Sequence, residues 1–302
     1  MDFTTVMNQV VMIFLIMLVG VWCTKQKILN QEINKGLCDL LINITIPCTI
    51  ISSFNQELSS RALIEAVYVL IFAFVSHSLS ILIGYILYRK YQPPIRKVLW
   101  FITMFSNCGF MGFPLLESVF GKIGIFYGSV YLGVANLFTW TFGQIIFTGK
   151  HDVNSLKKAL LNPGITAIFI GVVIFFSPVK PPVAVIKVID MIGLLTTPLA
   201  MIIIGVMLAE VNYKELLCGW HIYYGTAVRL LLMPILTIVT LKSLGVGGAV
   251  LGVCMMVTAM PAASITVIFA EMFDGDAIFA SKIVVVSTAL SIITIPLMTL
   301  LL

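Results

Sequence analysis

Apolar residues fill continuous stretches of about 20 positions along almost the whole chain, with short polar connectors between them. A stretch of that length is what a helix needs to cross the hydrocarbon core of a bilayer. The pattern predicts ten such helices, near residues 5 to 23, 36 to 54, 65 to 88, 98 to 120, 124 to 147, 163 to 179, 183 to 209, 217 to 243, 247 to 272 and 278 to 302. A membrane β-barrel would instead show short segments of alternating polarity, so the expected class is an all-α integral membrane protein. The second run is unusual in carrying Asp39, Asn43 and Pro47, and the boundary between the sixth and seventh rests on SPVKPP alone.

The polar positions inside these runs repeat. Asp39 to Pro47 reads DLLINITIP and Asp190 to Pro198 reads DMIGLLTTP, each in the second run of its half. Further on, Pro114 in SNCGFMGFPLL and Pro261 in VTAMPAASIT interrupt the fourth run of each half. The chain therefore divides into residues 1–150 and 151–302, two units of five spans each. Units with an odd number of spans cross the membrane in opposite senses, which is the inverted repeat of many secondary transporters.

Composition agrees with that solvent: 60% of the residues are hydrophobic and 10% charged, with a mean hydropathy of +1.10, far from the usage of a soluble domain. Counted over alternate connectors, one side receives Lys25, Lys27, Lys35, Arg89, Lys90, Arg96, Lys97, Lys150, Lys157, Lys158, Lys214 and Lys282, and the other Arg61, Lys122, Lys180, Lys187 and Lys242. Twelve against five makes the first side cytoplasmic, with both termini outside. The basic residues behind the net charge of +5 sit in short membrane connectors, so the charge gives no support to nucleic-acid binding.

The six cysteines (Cys23, Cys38, Cys48, Cys108, Cys218 and Cys254) lie in or beside apolar spans with no CxxC pair, so neither a disulfide framework nor a zinc site is expected. No HExxH, Walker loop or GxSxG elbow occurs. No catalytic group, metal or cofactor is expected, and the chain is read as a non-enzyme. The interrupted spans carry the chemistry. Ser106, Asn107, Cys108, Gly109, Gly112 and Pro114 fall within nine positions, and Thr258, Pro261, Ser264 and Thr266 surround the second interruption. Backbone of this kind is tolerated at membrane depth only where protein or water surrounds it. If the two breaks cross, half-helix N-termini present amides and a positive dipole end to one small volume, where an anion is stabilised.

Taken together, NCGFMGFP, NLFTW, VRLLLMP, AMPAA and the repeated D…TxP spans resemble the auxin efflux carrier family of membrane transporters, in its bacterial, malate-permease-like branch, over essentially the whole length. The resemblance implies crossed, broken fourth and ninth helices and often a homodimer. It also implies carriage of a small organic anion such as malate or an auxin-like acid, by a third-to-fifth and eighth-to-tenth span unit sliding in elevator fashion against the rest. The long central hydrophilic loop of the plant members is absent, which argues against auxin itself.

On that reading the substrate site comprises Asn107, Gly109, Pro114, Asn136, Pro261, Ser264 and Thr266. Neutral amides such as Asn107 and Asn136 bind an anion without a charge of their own to desolvate. A structural helix-to-helix hydrogen bond is the competing role for each, and for Gln144 the favoured one. His77, Arg229 and Glu117 are the candidates for proton or charge coupling. Arg229, the one basic residue outside a connector, is expected to pair with Glu117 or Asp190 or to attract the anion, and His77 to be a structural or proton-carrying histidine. Asp39 and Asp190 read as structural. The competing functions are a sodium- or proton-coupled carrier of the bile-acid symporter or cation antiporter type, which would place carboxylates where Asn136 stands, and a membrane receptor, which would need an output module outside the bilayer.

Overall fold

The computed structural model describes residues 3–55, 59–149, 157, 160–177, 181–209, 219–273 and 275–302. Cys218, Lys150, Lys158, Lys180 and Lys214, and part of SPVKPP, lie outside the described residues. Among those described there is no strand, only helix and connectors. Eleven helical elements follow one another: α1 (Phe3–Lys25), α2 (Gln31–Phe54), α3 (Ser60–Tyr88), α4 (Pro93–Met104), α5 (Cys108–Thr148), α6 (Pro163–Phe176), α7 (Val183–Ala209), α8 (Trp220–Ser243), α9 (Gly248–Ala259), α10 (Ile265–Met272) and α11 (Ala277–Thr299). Of these, α1, α2, α3, α5, α7, α8 and α11 are long and apolar enough to cross a membrane, while α6 and α9 are shorter apolar helices.

Local chemistry sets the starts. Asn30, Ser59, Asn162 and Asp276 accept the amides of Ile33, Ala62, Gly164 and Phe279 at 2.9, 3.1, 2.9 and 2.8 Å, satisfying first-turn donors that have no partner in the helix. Pro93 opens α4, where its missing donor costs nothing. Within α5 the chain turns at Gly121, whose φ of +63° and ψ of −150° suit only glycine, so α5 bends into two runs.

Three prolines inside long helices do something that the sequence reading did not anticipate. Pro47, Pro114 and Pro234 each stand two residues after a five-residue widened turn of π geometry, at Leu41–Thr45, Cys108–Gly112 and Val228–Leu232. A proline lacks the donor for the i−4 carbonyl and its ring crowds that carbonyl. One extra residue in the preceding turn moves the carbonyl aside, and the helix continues. The expectation that Pro114 marks the interruption is corrected by this geometry: helix stops at Met104, and the backbone leaves it at Phe105, which is extended (φ −115°, ψ 116°). In the second half the backbone leaves helix at Met260, also extended (φ −61°, ψ 149°), directly before Pro261.

Helix backbones approach closely between α1 and the Thr196–Ala209 part of α7. A Cβ on Gly205 would lie 2.1 Å from the Met17 carbonyl oxygen, and one on Gly20 would lie 2.3 Å from that of Ile202. Small residues at such places let helix backbones touch, the main route to association where the solvent is itself apolar. The Ile46–Phe54 part of α2 packs on α6 and on the Val183–Gly193 part of α7. α9 sits at the centre of the other helices, against α3, α5, α8 and α11, and all its residues from Val250 to Ala259 are buried.

Candidate membrane transport site

The two interruptions touch. Ser106 and Ala262 form an antiparallel bridge, the Asn107 amide donates to the Pro261 carbonyl at 2.8 Å, and the Ala263 amide donates to the Phe105 carbonyl at 3.2 Å. Two side chains extend the junction. Ser106 Oγ donates to the Val257 carbonyl at 2.6 Å, and the Ala262 amide donates to Ser287 Oγ of α11 at 3.1 Å. Backbone groups released from a helix cost several kcal/mol each, by order of magnitude, where no water replaces the bond. Here each break supplies several of the partners that the other needs, and neighbouring helices supply the rest, which is why both persist inside a helical protein.

Beside this junction lies a cavity of about 230 Å³. One wall is the starts of the two segments that follow the breaks: Asn107, Cys108 and Gly109 on one, Ala263, Ser264 and Ile265 on the other. The facing wall comes from α2, α5, the start of α6 and α7, with Asn136, Thr139 and Asn162 as its polar groups and Ile42, Ile46, Leu132 and Met207 among its apolar ones. Asn107 Nδ2 donates to Ser264 Oγ and Asn136 Nδ2 to Asn162 Oδ1, both at the long distance of 3.3 Å. Among the described residues that line it there is no acidic or basic side chain. What the cavity offers is amide and hydroxyl donors, first-turn backbone amides of two helical segments, and apolar walls.

Of the residues expected at a substrate site, Asn107, Gly109, Asn136 and Ser264 line this cavity. Pro114, Pro261 and Thr266 are not among its lining. Pro114 lies past the widened turn, Pro261 contributes its carbonyl to the junction, and Thr266 is buried with its hydroxyl on the Ala263 carbonyl at 2.6 Å. The sequence reading missed Asn162 and Thr139. Asn162 carries a recognisable signal, an Asn directly before the proline that opens an apolar run.

The three coupling candidates separate. His77 is buried, with Nδ1 2.8 Å from the Ala73 carbonyl, so that this nitrogen bears the hydrogen, and its ring packs on Phe105, Tyr131 and Phe138. Glu117 faces a second cavity of about 270 Å³ together with Lys122, Asp190, Ser52 and Ser53. There Lys122 Nζ lies 3.5 Å from Asp190 Oδ1, which also accepts from Ser52 Oγ. Arg229 does not pair with Glu117 or Asp190, contrary to the sequence expectation. Only 1% of it is exposed, and it donates instead to the carbonyls of Thr103, at 3.0 Å, and Thr258. The physical reason is availability: the last carbonyls of α4 and α9 lose their helical donors at the breaks and take the guanidinium in place of an acid.

Residues 5–156 and 151–299 match the sequence profile of a family described as membrane transport proteins, the auxin efflux carrier family. The chain belongs to that family. It is similar to uncharacterized transporters of two archaea. That of Methanocaldococcus jannaschii is 24% identical, over 96% of this chain and 97% of the relative, and that of Methanothermobacter thermautotrophicus is 24% identical, over 95% of each.

Proposed function

We propose that this membrane transporter carries small organic anions, carboxylates such as malate or auxin-like acids, across the cell membrane by alternating access, facilitatively or coupled to protons. The observation that carries the reading is the cavity at the junction. Two helical segments begin there, amide donors from Asn107 and Asn136 stand at its edge, and no carboxylate is among its described lining. Half-helix N-termini and neutral amides suit a carboxylate, while a sodium or proton antiporter site would need an acid in that wall.

In this reading the ten runs of the sequence form an inverted five-plus-five repeat. α4 with the first part of α5 is the broken fourth span, and α9 with α10 the broken ninth. The antiparallel sense of the Ser106 and Ala262 bridge supports opposite crossing directions. The unit made of α3, α4, α5, α8, α9, α10 and α11 moves, elevator fashion, against α1, α2, α6 and α7 as a homodimeric scaffold. Both termini lie outside. Cargo binds Asn107, Gly109, Asn136 and Ser264, while Pro114, Pro261 and Thr266 shape the two broken spans. His77 and Glu117 remain the proton-coupling candidates.

Uptake by reconstituted vesicles tests this. Labelled malate and aromatic monocarboxylates should accumulate above protein-free vesicles, and sodium should not be required. Carboxylate flux equal to the protein-free control, or sodium flux in its place, would reject the reading.

A further inference from the structure

Arg229 is a full positive charge in the middle of a membrane protein, buried to 1% exposure, with no carboxylate partner among the described residues. Its Nε has no acceptor among them either. Its other two nitrogens reach the Thr103 and Thr258 carbonyls, and these lie in the last turns of the two helices that run into the breaks. The guanidinium therefore joins two helix C-termini.

A helix end carries roughly half an elementary charge, negative at the C-terminus and positive at the N-terminus. At this junction two C-termini, those of α4 and α9, meet two starts, those of the segments at Cys108 and Ile265. The four ends sum to about zero, so the bare junction has no preferred sign. One unit of positive charge placed on the two negative ends removes them from the balance, and the two positive ends facing the cavity are left over. The α8 segment that holds Arg229 is the widened turn Val228–Leu232 before Pro234, so the side chain is set by a local distortion of its helix and not by a salt bridge.

We infer that Arg229 is the positioning residue that sets the sign of the transport site: it caps both half-helix C-termini and thereby makes the neutral cavity on the other side of the junction select anions without touching them. The inference rests on the carboxylate reading above and adds the source of its charge preference.

A matched pair of probes reads that preference. Benzoate and benzamide have nearly the same shape and differ in charge, and a cavity of about 230 Å³ is larger than the roughly 150 Å³ that takes a benzene ring. Binding of each to the purified full-length protein is measured by calorimetry. The unmutated protein should prefer benzoate. Arg229→Gln should lower benzoate affinity by about tenfold, the scale of a unit charge acting through protein and not by contact, and leave benzamide within about twofold. Arg229→Met replaces it if the glutamine variant does not fold. Arg229→Lys, which keeps the charge but not the planar fork, should keep the preference at a lower melting temperature.

A charge-removing variant that folds and still prefers benzoate overturns the inference while leaving the carboxylate reading intact. So does a folded lysine variant that has lost the preference. Equal binding of benzoate and benzamide by the unmutated protein defeats the carboxylate reading itself and the inference with it.

Discussion

The two breaks do the same job with different parts. The first, at Phe105 to Asn107, contains no proline and is held by a side chain, Ser106 Oγ on the Val257 carbonyl. The second, at Met260 to Ser264, contains Pro261 and is held from outside by Ser287 of α11, which accepts the Ala262 amide. What they share is reciprocal backbone pairing across Ser106 and Ala262. A helix in a bilayer is thus opened by the presence of a partner that can take its released groups, and proline is one contributor among several.

The largest expected effect comes from attacking what is shared. Ala262 is fully buried at the bridge, so Ala262→Leu must push the two breaks apart. Overpacking of this kind costs about 1 to 3 kcal/mol, and the displaced backbone pairs add to it. Melting temperature and vesicle uptake should both fall sharply. A variant with native melting and uptake would mean that the contact between the breaks is not needed.

Next in size is the difference between two cavity-facing polar side chains, Asn107 and Ser264. Asn107→Ala should weaken carboxylate binding by about 1 to 3 kcal/mol, as for a buried polar partner left unmatched. Ser264→Ala, which removes one neutral hydroxyl whose contact with Asn107 is a long 3.3 Å, should cost about 1 kcal/mol or less. A double-mutant cycle checks whether the pair acts together. Equal losses in the two single variants would erase the distinction between the breaks at the cavity.

The contact between α1 and α7 offers a contrast outside the junction. Gly205→Ala puts a Cβ 2.1 Å from the Met17 carbonyl oxygen, a backbone atom that cannot swing away. It should lower stability by about 1 to 3 kcal/mol yet leave carboxylate affinity unchanged in the protein that remains folded. Breaking the pair between Lys122 and Asp190, both partly exposed, should cost no more than about 1 kcal/mol. A large loss there would show that the second cavity holds the two halves together more firmly than its solvent exposure implies.

Much of this was legible in the sequence, and the exceptions have physical reasons. Continuous apolar runs pointed to an all-helical membrane protein, though not to the bounds of each helix, and the crowding of small and polar residues in SNCG and MPAAS marked both breaks, because only hydrogen-bonding or small residues survive there. Pro114 misled because proline can be absorbed by a widened turn, a backbone adjustment with no residue signature of its own. Arg229 was visible as an anomaly, but its partners are main-chain carbonyls, which every residue has, so reasoning from side chains looked to Glu117 and Asp190. The close approach of Gly20 and Gly205 joins positions far apart in the chain, and no spacing rule links them.

The two prolines give the finest test of the comparison. If proline itself opened each break, Pro114→Ala and Pro261→Ala would behave alike. Their settings differ. Pro114 follows the turn Cys108–Gly112, seven residues beyond the break, so alanine there regains an amide and at most tightens one turn. Uptake should stay within about twofold and stability within about 1 kcal/mol, the range of a change away from any named strain. Pro261 lies inside the second break, and its carbonyl takes the Asn107 amide. Alanine at that position keeps the carbonyl but frees φ and adds a donor, so the pairing persists with a looser backbone and Ser264 is held less firmly at the cavity. Uptake should fall by a few-fold, since a site loosened by a fraction of an ångström loses rate before it loses fold, with melting close to native. Matching losses in both variants would return proline to the role of opener and remove the distinction drawn between the breaks.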